Sequence, residues 1–104
     1  MEIEASLFFF DIEGKLGNPE FDNTSVKVLY EHASLLQQGD ILSFEKAETE
    51  GFKPAYWLDG EDVYRNISGN TFRVFRREWC ILPNLNGEEK SLLIIEVSWE
   101  NTID

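Results

Sequence analysis

Apolar and polar residues alternate with period two over most of the chain, and that period belongs to β-strands with one buried face. At the start, Ile3, Ala5, Leu7 and Phe9 alternate with Glu2, Glu4, Ser6 and Phe8. Phe8 and Phe10 fall on the polar phase, which requires either a second layer over that face or an interior position in a sheet. Residues 14–23 hold Gly14, Gly17, Asn18, Pro19 and Asn23, the composition of a loop. Alternation resumes over 25–30 with Val26, Val28 and Tyr30 inward. Residues 31–38 lack β-branched side chains and are followed by Gly39, which predicts about two turns of helix. A strand over 41–46, a solvated loop over 47–54 and a short strand over 55–58 come next.

Three turn signals follow in close order. Asp59-Gly60 separates Tyr56-Trp57-Leu58 from Val63-Tyr64, and Gly69-Asn70 separates 63–67 from 71–75; both pairs supply the positive φ of tight hairpins. Asn84 to Gly87 separates Trp79-Cys80-Ile81-Leu82 from 92–99, where Leu93, Ile95, Val97 and Trp99 alternate with Ile94, Glu96, Ser98 and Glu100. The pattern predicts a mainly β fold, an antiparallel small barrel or two-layer sandwich of six or seven short strands with at most one short helix. It becomes a β-rich α+β roll if that helix packs on the sheet. Leu7, Phe9, Val28, Phe44, Phe72, Val74, Leu93, Ile95 and Val97 take the inward phase and are the expected core.

With 104 residues, 42% of them hydrophobic, the chain supports one domain with one core. Nine Lys and Arg against 20 Asp and Glu give a net charge of −11. Such a field opposes duplex nucleic acid and anionic membranes and favours a basic protein as partner. The lone Cys80 makes no internal disulfide, the Met1-Glu2-Ile3-Glu4 start lacks the pattern of a secretory signal, and no apolar run approaches the ~20 residues that span a bilayer. A cytoplasmic location is expected.

No arrangement of residues specifies a reaction. His32 is the only histidine and lies far in sequence from Cys80, whose neighbours Trp79 and Ile81 suit a buried, inert thiol. One Cys and one His do not make a structural zinc site, and Asp59-Gly60-Glu61-Asp62 lacks the ligand spacing of a calcium loop. Gly14-Lys15-Leu16-Gly17 has neither P-loop nor dinucleotide-binding spacing, and Asn66-Ile67-Ser68 is a glycosylation triplet only in form. No catalytic residue, metal or cofactor is therefore assigned.

Two surfaces remain as candidates. Glu48, Glu50, Asp59, Glu61 and Asp62, with Glu45 beside them, fall in neighbouring loops around Trp57; an acidic rim around an aromatic anchor suits rapid docking on a basic protein. The leading expectation is thus a non-enzymatic binding protein, of the inhibitor or immunity type. The second surface lies in residues 63–79, which hold four arginines against one glutamate, net +3 in an otherwise acidic chain. Period two puts Arg73, Arg77 and Trp79 on one face together with Phe75, a face able to stack single-stranded bases or grip a ligand carboxylate. The alternative expectation is therefore a small β-barrel binding module for a ligand or single-stranded nucleic acid. Internal pairing of those arginines with the surplus acids competes with it.

Overall fold

The structure, a computed structural model, describes residues 2–10, 24–83 and 89–102. The segment 14–23, with Gly14 to Gly17, and the turn at 84–87 lie outside these residues. Five strands and two short helices make the protein mainly β: β1 (Glu2–Phe10), β2 (Thr24–Val28), α1 (Tyr30–Ala33), β3 (Ile41–Phe44), α2 (Glu61–Ile67), β4 (Asn70–Pro83) and β5 (Glu89–Thr102). The strands form a single sheet in the order β2-β1-β5-β4-β3, curled into half a barrel. Neighbours are antiparallel except β1 and β5, which run parallel.

The period-two phase fixes which side is filled. Ala5, Leu7 and Phe9 of β1 share the concave face with Val26 and Val28 of β2, Leu93, Ile95 and Val97 of β5, and Phe72 and Val74 of β4, all buried. All nine expected core residues are among them or, like Phe44, join them. The helices close this face, contributing Ala33 from α1 and Tyr64 and Ile67 from α2. Phe8 and Phe10 lie half-buried on the opposite side of β1, which runs inside the sheet between β2 and β5. The interior position, not a covering layer, accounts for their phase.

Two of the expected hairpins are absent, and the glycines explain why. Gly60 and Gly69 have positive φ, as expected, but each flanks α2 instead of turning a hairpin. Gly60 is the N-cap, with acidic Glu61 and Asp62 in the first turn, where negative charge meets the positive end of the helix. Gly69 follows the C-cap Ser68 in the left-handed position that ends many helices, and its N–H bonds to the Phe44 carbonyl to lead the chain into β4. The expected strand over 63–67 is therefore helix, and Val63, Tyr64 and Ile67 sit at spacings that share one helical face. Residues 55–58 form no strand either. Only Trp57 bridges to Val28. The runs 71–75 and 79–82 merge into one 14-residue strand, so among the described residues five strands stand where six or seven were expected, and two helices where at most one was. The 14-residue β4 and β5 are antiparallel partners, as the turn signal between 79–82 and 92–99 implied.

A β-bulge between Val74 and Arg76 interrupts the β4–β5 register. Before it, Arg73 lies opposite Ser98 on the convex face; after it, Arg77 lies opposite Ile95 and Trp79 opposite Leu93 on the concave face. One inserted residue has reversed the phase of everything that follows.

Candidate functional site

Glu48, Glu50 and Glu61 line one surface concavity together with Phe52, Tyr64 and Arg65. Glu61 also lines the adjoining hollow with Asp59, Asp62 and Lys53. Helix α2 brings these together, because its first turn presents Glu61 and Asp62 beside the loop that follows β3. The five acids of the expected rim thus line two hollows, Glu48 and Glu50 one and Asp59 and Asp62 the other, with Glu61 as their common member.

Their roles differ. Asp59 Oδ1 accepts the Lys27 backbone N–H at 2.8 Å, so this carboxylate covers the edge of β2. Asp62 meets Arg65 at 3.5 Å on an exposed helix surface, a contact of little energetic weight. Glu48, Glu50 and Glu61 are exposed.

Trp57 requires a correction. It is 1% exposed and packs its indole against Phe9, Phe44 and Tyr64, with ring centroids 5.5–5.9 Å apart. The backbone bonds Leu29 N–H to Tyr56 O and Leu58 N–H to Lys27 O hold its segment along β2 and turn the ring inward. Trp57 supports the rim from beneath and offers no contact surface. The aromatic that does face outward is Phe52, 46% exposed and seated edge-on against Tyr64 at 5.1 Å. Its signal in the sequence is an aromatic inside the glycine- and proline-bounded stretch Gly51-Phe52-Lys53-Pro54.

Tyr64 couples rim to core. Its hydroxyl donates to the Glu45 carbonyl at 2.7 Å. Burial raises its pKa above the usual phenol value, and Tyr56 and Glu45 raise it further. A phenol whose folded pKa lies above its unfolded value supports stability below pH ~10 and withdraws that support as pH rises through the folded pKa. Tyr64→Phe is expected to cost about 1 kcal/mol at neutral pH through the lost hydrogen bond. It is also expected to remove part of the alkaline loss of stability, as read by urea denaturation at pH 7 and 10.5.

The arginine face does not exist as a continuous surface. The bulge places Arg73 on the convex side, where its Nε and Nη2 reach Glu100 Oε1 at 3.1 and 2.7 Å, whereas Arg77 and Trp79 lie on the concave side. Phe75, expected beside them, meets Phe10 edge-on at 5.7 Å on the convex side. Arg76 pairs with Glu78 and Glu96, and Arg65 with Asp62, so internal pairing accounts for three of the four arginines. Arg77 is the exception. Among the described residues it has no ion pair and its buried Nε no hydrogen-bond partner, and its guanidinium lies 5.9 Å from the centre of the Trp79 ring.

His32 and Cys80 sit on opposite sides of the sheet, His32 on α1 against the Tyr56 ring at 5.0 Å and Cys80 opposite Leu92 on the convex face. Among the described residues, no group of three or more His, Cys, Asp or Glu is placed to hold a metal, and no helix is long and apolar enough to cross a membrane. No family model, curated protein or solved structure matches the chain.

Proposed function

We propose that this chain is a small, acidic, non-enzymatic binding protein of the cytoplasm, of the inhibitor or immunity type, that docks its acidic rim on a basic protein surface. The observation that carries the reading is the convergence of Glu48, Glu50 and Glu61 on one concavity with Phe52 in it. Like charges gathered at one place repel one another, and a cationic partner relieves that cost while the field speeds its approach. Phe52 supplies the apolar contact that slows departure.

The test starts with affinity capture from the native host and continues with binding kinetics of the captured protein at two salt concentrations. Changing Glu48, Glu50, Glu61 and Asp62 to Gln or Asn is expected to slow association about tenfold at low salt and flatten its salt dependence. Asp59 is left intact because it holds the Lys27 N–H. Phe52→Ala is expected to act instead on dissociation, raising its rate about tenfold or more. An association rate indifferent to the four neutralisations assigns the acids to solubility alone and overturns the reading.

A further inference from the structure

The sheet treats its edges unequally. The outer edge of β2 is covered by the 56–59 segment, through the Leu58 N–H bond to Lys27 O and the Asp59 bond to Lys27 N–H. At the other side β3 is only four residues long, and it pairs with β4 from Asn70 to Arg73. Beyond that, Gly39 and Asp40 bond the backbone of Val74, and there the cover ends. Among the described residues nothing pairs with the outer side of β4 from Phe75 to Pro83.

That edge is only partly protected: the bulge before Arg76 and the charges of Arg76, Arg77 and Glu78 guard its start, and Trp79 to Leu82 follow without a charge. It holds no lysine, its only proline is the terminal Pro83, and Trp79, Ile81 and Leu82 are 41%, 56% and 40% exposed. A strand edge of this kind presents alternate N–H and C=O groups to any extended backbone that approaches. After the bulge, Arg77, Trp79 and Ile81 project in a row from the concave face, as their partners Ile95, Leu93 and Ser91 require. Among the described residues, Arg77 is the one arginine without a carboxylate.

We infer that the outer edge of β4 is a strand-addition site for an extended segment of a partner protein that sets one carboxylate opposite Arg77 and apolar side chains opposite Trp79 and Ile81. The backbone edge provides the affinity common to all strands, and the Arg77–Trp79–Ile81 row selects among them. The net charge of −11 does not forbid such a partner, because charges beyond about 10 Å are screened at ordinary ionic strength whereas the guanidinium is at contact. A second copy of β4 fits less well, since antiparallel self-pairing sets only residues of the concave face, Arg77, Trp79 or Ile81, opposite Arg77, and none is a carboxylate. This surface is separate from the acidic rim, and its test is independent of that reading.

The probe is a capped, fluorescein-labelled peptide, Thr-Val-Thr-Val-Thr-Glu-Thr, read by anisotropy against the whole chain. The strand orientation matches β4's antiparallel neighbours. Saturable binding is expected, weakened about tenfold both by Arg77→Gln and by replacing the peptide glutamate with glutamine. Because only alternate amides of an added strand face the edge, two peptides N-methylated on complementary sets of amides are expected to differ, one losing binding and the other keeping it. Absence of binding at millimolar protein, equal binding of the glutamine peptide, or an equal response to the two methylation patterns overturns the proposal. Sedimentation velocity closes the remaining route: a dimer of the free chain that the peptide dissociates assigns the edge to a second copy and overturns the partner stated here.

Discussion

Trp57→Ala is expected to lose about 4 kcal/mol of stability in chemical denaturation, the middle of the range for removing a large aromatic from a core. The indole is 1% exposed and joins α2 to the sheet by touching Phe9, Phe44 and Tyr64 together. Its removal opens a cavity at the junction, where no single neighbour moves in without abandoning another contact. Trp57→Phe is the discriminating partner. Among the described residues the indole N–H has no acceptor, so phenylalanine leaves no carbonyl orphaned there and sacrifices only volume. A cost below about 2 kcal/mol is expected for it. Equal losses in both variants would show that the indole itself, not its bulk, holds the junction.

Gly60→Ala is expected to cost about 3 kcal/mol or more, from two sources that add. An L side chain at a φ of +90° is strained by roughly 1–2 kcal/mol, and the new methyl overlaps Val26 Cγ1, a buried atom of β2. Gly69→Ala separates the two. Its φ is +80°, but the added methyl meets only the flexible Lys46 side chain, so the backbone term alone, about 1 kcal/mol, is expected. If Gly60→Ala costs no more than Gly69→Ala in the same denaturation assay, α2 is free to shift away from β2 and the close approach is not a constraint.

The parts of the fold that could be read from the sequence are those in which burial alternates without interruption. Strands β1 and β5 show it in Leu7 and Phe9 and in Leu93, Ile95 and Val97, where the buried face follows from residue phase alone. Helix α2 was hidden because Val63 and Ile67 are β-branched and Gly60 and Gly69 supply the same backbone geometry to a hairpin as to a helix end. The acids Glu61 and Asp62 just after Gly60, with Arg65 near the far end, are the charge order of a helix and were the available clue. The bulge at Phe75 left a subtler trace: the apolar residues shift from even positions, Phe72 and Val74, to odd ones, Trp79 and Ile81. Continued alternation of Arg73, Arg77 and Trp79 across that shift looked like one face and was two. In the acidic rim, the gathering of Glu48, Glu50 and Glu61 followed from adjacent loops. The identity of its aromatic did not, because the bridge between Trp57 and Val28 depends on pairing between distant segments.

The parallel pairing of β1 with β5 bears on how this chain reaches its native state. Glu2 is the register partner of Lys90 and Phe10 of Ser98, so the middle of the sheet joins segments from opposite ends of the sequence. Closing so long a loop before any contact rewards it makes this pairing a slow step, later than the local β4–β5 hairpin. Leu7 and Phe9 gain their first neighbours from β2, where Leu7 lies opposite Val26, whereas the other edge of β1 stays unpaired until β5 is present. Until then that one edge of β1 is open to pairing with other chains, and chaperones that shield such edges act in this interval.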